Sequence, residues 1–157
     1  AREAAGKFNT AYTALFKEPK EVIMRGVGIV PGTDGKKMSK SYGNTIPLFA
    51  PKDVLAKAVM GIVTDSSGER PENVYAIHKL VKSEEELAAL YEEKKGRYKD
   101  LKEALIEDLD AYFGPMRDKR DAISDEEVAK VLAVGAAKAK EISEAKMKEV
   151  RKAVGVA

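Results

Sequence analysis

The chain has 157 residues, 44% hydrophobic and 34% charged, with a formal net charge of +2. That is the balance of a soluble globular protein of one or two small domains with a well-charged surface. No apolar run approaches bilayer length and no basic-then-apolar leader is visible, so a cytoplasmic, non-membrane protein is expected. The absence of Cys excludes disulfides and thiolate metal sites. Residues 1–45 carry an excess of Lys and Arg, and the remainder a small excess of Asp and Glu. Positive charge therefore concentrates in the first segment, where an anion would be held.

In chain order, Ala4, Ala5, Phe8, Ala11, Tyr12, Leu15 and Phe16 recur at helical spacing and predict a helix over 2–16, ended with the help of Pro19. Residues 27–30 form a short apolar run and the one strand candidate. Gly, Thr and Asp then predict an exposed loop over 32–45. From Pro51 the pattern is helical, with Val54, Leu55, Ala58, Val59 and Ile62 on one face. Residues 65–68 read as a loop, with Asp65 a turn or cap residue. Val74, Ile77 and Val81 mark a short helix. Ser83 with Glu86 is a capping-box pattern, followed by inward Leu87 and Leu90. Tyr98, Leu101, Leu105, Leu109 and Tyr112 form the next stripe, which Gly114-Pro115 should break or kink. Ser124 with Glu127 opens a last helical segment carrying Val128, Val131, Leu132, Ile142, Ala145 and Val150, with Gly135 the place for an interruption. The expected architecture is mainly α: a short loop-bearing piece, 1–49, followed by a helical bundle, 50–157.

The chemistry concentrates in residues 32–44. Lys37 and Lys40 are two ammonium groups three positions apart in a glycine-flanked loop, and Ser39 and Ser41 add hydroxyls. Backbone N–H groups near Gly35 and Lys36 could add donors. Such a loop could close over a polyphosphate and neutralise charge on a leaving group, its glycines permitting the swing. It is not a Walker loop, because Val30 stands where that pattern needs Gly and Lys37 where it needs Ser or Thr. Gly26-Val27-Gly28 is only a fragment of a dinucleotide fingerprint.

Lys37-Met38-Ser39-Lys40-Ser41 is identical to the KMSKS signature of class I aminoacyl-tRNA synthetases. A chance match to a given five-residue string in such a chain is on the order of one in ten thousand. The flanks Val30-Pro31-Gly32-Thr33-Asp34-Gly35 and Tyr42-Gly43-Asn44-Thr45-Ile46-Pro47-Leu48, the upstream Arg2 and Phe8-Asn9, and the downstream Ile62-Val63-Thr64-Asp65-Ser66 resemble the tryptophanyl-tRNA synthetase family. The resemblance implies that the first piece is the end of a Rossmann-like catalytic domain and the bundle an anticodon-binding type of helical domain. It also implies ATP with Mg²⁺, tryptophan and tRNA(Trp) as substrates, and a homodimer for the whole enzyme. By motif position, Lys37, Lys40 and Ser39 would be catalytic, stabilising departing pyrophosphate. Gly28, Lys37, Met38, Ser39, Lys40 and Ser41 would line the ATP site. Lys94, Lys95, Arg97, Lys99, Lys102, Arg117, Lys119 and Arg120 are candidate tRNA contacts, although the acidic residues around them fit an ordinary solvated face equally. Tyr91, Tyr98 and Tyr112 could stack on bases, the last two being placed instead on the apolar face.

The one histidine, His78, is followed by Lys79-Leu80, so it cannot be the first class I signature of His-Ile-Gly-His type; a half-buried structural role is expected. The chain reads as an excised portion of an enzyme, inactive alone. A tyrosyl-tRNA synthetase portion and a non-catalytic helical tRNA-binding module remain the alternatives.

Overall fold

The computed structural model describes residues 1–24, 27–64 and 70–156. The expectations for Gly26 and for Asp65 to Gly68 lie outside them. Among the described residues the structure is helical. The run at 27–30 is not a strand: the sole strand-like pairing described is an isolated antiparallel bridge between Pro31 and Lys37. Val27 and Ile29 are exposed, with no neighbouring extended segment to hydrogen-bond to among the described residues.

The chain divides into two compact units, Ile23–Ala122 and Ala1–Val22 with Ile123–Ala157. The signature loop thus shares a unit with the helices that follow it, and the compact units do not part at residue 50. In the Ile23–Ala122 unit, α2 (Lys52–Met60), α3 (Glu72–His78), α4 (Glu84–Glu93) and α5 (Tyr98–Asp121) surround two apolar clusters. The larger joins Ile46, Leu55, Val59, Ile62, Val74, Ile77, Leu105, Ile106 and Leu109. The smaller joins Leu87, Tyr91 and Leu101. Fully burying a leucine such as Leu55 or Leu105 contributes about 1.5–3 kcal/mol. The stripes read from spacing supply most of this core. The exceptions among the stripe members are Val54 and Tyr112, which are exposed, and Tyr98, which is half-buried. Tyr91, offered as a stacking residue, is buried instead.

His78 is fully buried rather than half-buried, and it ties three helices together. Its Nε2 lies 2.8 Å from Asp108 Oδ2 and its Nδ1 3.3 Å from the Tyr91 hydroxyl. A carboxylate only accepts, so Nε2 carries the proton and Nδ1 accepts from Tyr91. Burial holds the imidazole below its ordinary range, against the pull of Asp108. Burial likewise pushes the Tyr91 phenol well up.

The α5 helix continues through Gly114-Pro115 to Asp121, against the expected break. Contacts made beyond the proline hold its last turns. Arg117 pairs with Asp110 at 2.5 Å and donates to the Ala50 carbonyl, while Arg120 donates to the Phe49 carbonyl.

In the other unit, α1 covers Arg2–Ala11, ending earlier than the spacing predicts. The Asn9 carboxamide accepts from the Leu15 and Phe16 N–H groups and donates to the Phe16 carbonyl, which turns the chain back. Phe16 then meets Phe8 edge-on at 5.0 Å. The last helix, α6 (Asp125–Val154), runs unbroken past Gly135. Its apolar stripe is not core: α6 has no buried residue, and Ile142 is 75% exposed. Both capping boxes form as read, Ser83 with Glu86 and Ser124 with Glu127.

Candidate nucleotide loop

Residues 30–45 form a tight, internally bonded structure built around the Asn44 side chain, which is 2% exposed. Its Oδ1 accepts the Ser39 N–H at 2.8 Å, and its Nδ2 donates to Asp34 Oδ1 at 2.7 Å and to the Lys37 carbonyl at 3.2 Å. The Asn44 carbonyl also accepts the Thr33 N–H at 2.9 Å. One carboxamide therefore fastens both sides of the signature. The bond from Asn44 holds the Asp34 carboxyl below its usual range.

The glycines serve this packing. A Cβ on Gly32 would strike the Asn44 side chain and come within 2.6 Å of the Asn44 carbonyl oxygen. Gly35 closes the turn at φ +77°, where a side chain would also meet Asn73. Gly32 is thus a close-approach residue rather than a hinge. The N–H groups offered as phosphate donors are spent internally, Gly35 on the Gly32 carbonyl and Lys36 on Asp34 Oδ1.

What the loop presents outward are side chains. Lys37 and Lys40 are exposed, and neither forms an ion pair among the described residues. Lys40 opens a 3-10 turn, Lys40–Tyr42, closed by Gly43 at φ 65°. The Ser39 and Ser41 hydroxyls are 2.8 Å apart, a bond that an incoming phosphate oxygen could replace. Met38 points the other way, packed against the core beside Val30 and Leu48. Gly28 is exposed. The arrangement is a platform fastened by Asn44 and bearing two exposed ammonium groups and two hydroxyls, suited to binding an oxyanion.

The candidate RNA-contacting cations do not form one patch. Lys94, Lys95, Arg97 and Lys99 lie where α4 hands over to α5, whereas Arg117, Lys119 and Arg120 lie about 27 Å further along α5 at 1.5 Å per residue. Several have intramolecular duties. Arg97 pairs with Asp100 and bonds the Glu93 carbonyl, and Lys99 pairs with Glu103. Lys102 caps the end of α2 through the Met60 and Ile62 carbonyls, and burial lowers its pKa. Arg117, 13% exposed, and Arg120 hold the segment after the loop against α5. Lys95 lines a polar cleft of about 390 Å³ with Arg70, Glu72, Tyr75, Tyr91 and Glu92, in which the Arg70 guanidinium stacks 3.8 Å from the Tyr75 ring centroid. The sequence reading passed over Arg70 and Tyr75, because a lone Arg and a lone Tyr five positions apart carry no pattern. The central part of Asn44 was also missed, since its capacity to bridge the loop appears only once the chain has turned.

With this geometry in place, the family assignment follows: residues 1–127 match the family of class I tRNA synthetases (W and Y), and the chain belongs to it. Within that family, the chain is similar to enzymes for tryptophan. It is 39% identical to the tryptophan–tRNA ligase of Fusobacterium nucleatum over 99% of this chain and 51% of that one. It is 36% identical to the tryptophan–tRNA ligase of Aquifex aeolicus over 99% of this chain and 43% of that one. In three dimensions it resembles the tryptophanyl-tRNA synthetase of Campylobacter jejuni complexed with ADP and tryptophan, with a TM-score of 0.75, 33% identity and coverage of 98% of this chain and 52% of that one. The chain therefore spans about half the length of the relatives it matches. No helix among the described residues is long and apolar enough to cross a membrane, and no group of acidic or histidine side chains among them could hold a metal.

Proposed function

We propose that this chain is the C-terminal portion of a tryptophan–tRNA ligase, which joins ATP and tryptophan into tryptophanyl-adenylate and passes the amino acid to tRNA(Trp). The observation that carries the reading is the exposed Lys37 and Lys40, without an ion-pair partner among the described residues, on a platform clamped by Asn44. In this proposal ATP enters as its Mg²⁺ complex. Tryptophan's carboxylate attacks the α-phosphorus and pyrophosphate leaves. Charge building on the leaving group meets Lys40 and Lys37, with the Ser39 hydroxyl donating to a phosphate oxygen. Ser41, the Met38 backbone and Gly28 border the nucleotide.

Residues 1–49 are proposed as the end of a Rossmann-like catalytic domain. The exposed Val27 and Ile29 would pair there with the remainder of the enzyme. Residues 50–157 are proposed as the helical tRNA-binding domain, with contacts drawn from Lys94, Lys95, Arg97 and Lys99; Arg117 and Arg120 are assigned to holding the segment after the loop. The whole enzyme is proposed to be a cytoplasmic homodimer. This chain alone is proposed to be inactive, since its single histidine is buried between helices and serves no first signature.

The test is a Lys40→Ala change in the longer enzyme. Adenylate formation should slow by about a hundredfold or more, while tryptophan affinity changes little. Equal losses in both would remove leaving-group stabilisation as the role of Lys40.

A further inference from the structure

Beneath the signature loop lies a cavity of about 260 Å³ whose walls are almost wholly hydrocarbon. Val30, Met38 and Ile46 close it from the loop side; Ile77, Val81 and Phe113 close it from α3, the turn after α3 and α5. We propose that this cavity is a binding site for a small uncharged ligand the size of a single aromatic ring, and that its occupancy is sensed by the signature loop through Met38.

Three observations carry this. Size comes first: an apolar cavity of about 150 Å³ already suffices to stay dry and admit benzene. The second is that the walls are preformed. On the loop side, the Met38 N–H donates to the Val30 carbonyl at 2.8 Å and Asn44 fixes Ser39, so that wall cannot simply collapse inward. On the helix side, Ile77 and Leu109 belong to the main core. Entry is available at Leu80, a lining residue that is 38% exposed. The third is position. Met38 stands between Lys37 and Ser39, so a ligand that reorders its side chain acts on the residues carrying the cations. A thioether is polarisable and favours contact with a ring edge, which selects an aromatic occupant. The proposal stands on the cavity alone and does not require the ligase reading.

The test uses this chain with ¹³C-methyl-labelled methionine, titrated with toluene. The sequence has five methionines, and only Met38 lines the cavity. A saturable shift of the Met38 methyl is expected, with a midpoint of about a millimolar for so small a ligand, while Met24, Met60, Met116 and Met147 stay still. Val81→Phe, which fills the cavity, and Leu80→Trp, which covers its mouth, should each reduce the shift at least fivefold at fixed toluene. Circular dichroism identifies which of the two variants is folded. The wild-type titration is decisive alone. No Met38 shift up to saturated toluene, or parallel shifts of all five methyls, overturns the site, as does an undiminished shift in a folded filled variant.

Discussion

Asn44 has no charge, yet it does more for the signature than either lysine does for the fold. Asn44→Ala leaves the Ser39 N–H without its acceptor and takes one of two donors from Asp34 Oδ1, the Lys36 N–H remaining, and should cost about 2 kcal/mol. Chemical denaturation of the two proteins measures this. A loss under half a kcal/mol would mean that water replaces the carboxamide. His78 sets a pH dependence. Burial lowers its folded pKa below the ordinary 6.5, so the unfolded chain takes up a proton first. Stability from this group is complete above about pH 6.5 and falls as the pH drops below it. The Tm of the wild-type chain should decline between pH 7 and 5, and that slope should flatten in His78→Gln. The groups facing the imidazole are Asp108, which would welcome the proton, Lys82, which opposes it, and the Tyr91 hydroxyl, which donates to the neutral ring.

Helix ends were legible from residue type, because a Ser three positions before a Glu bonds locally whatever lies around it. Both boxes formed, and α6 isolates their value since it has no buried residue. Ser124→Ala should cost that helix about 1 kcal/mol, and Gly135→Ala should return a similar amount because a Cβ there meets nothing within 4 Å. Ellipticity at 222 nm during thermal melting reads both. Helix lengths were less legible. Pro115 reads as a breaker because it removes one N–H and crowds the turn before it. Arg117 and Arg120 supply bonds to residues some seventy positions away, and no local rule contains those. The α1 stop at Ala11 likewise depends on Asn9 reaching Phe16. Spacing shows which face of a helix is apolar but not whether anything covers it, and the α6 stripe is uncovered.

For the molecule as a whole, apolar burial is unevenly shared. The Ile23–Ala122 unit holds every buried residue of the two core clusters, while α1 and α6 have none. Amide hydrogen exchange should reflect this, with protection around Leu101 to Leu109 exceeding that of α6 by at least about a hundredfold. Comparable protection in both would mean that α6 is covered in solution. The string Lys37 to Ser41 can be read directly from the chain, since five adjacent residues need no long-range partner to be recognised. The support beneath it cannot, because the cavity and the Asn44 clamp exist only between segments that folding brings together.

That clamp also fixes a distance along the chain. Positions 39 and 44 are joined by a single amide group spanning the 3-10 turn, so the interval has a set length as well as a set composition. One extra residue inserted after Ser41 would carry the carboxamide off its partners, release the carbonyl of Lys37, and leave five unchanged letters that no longer hold two amines in one place.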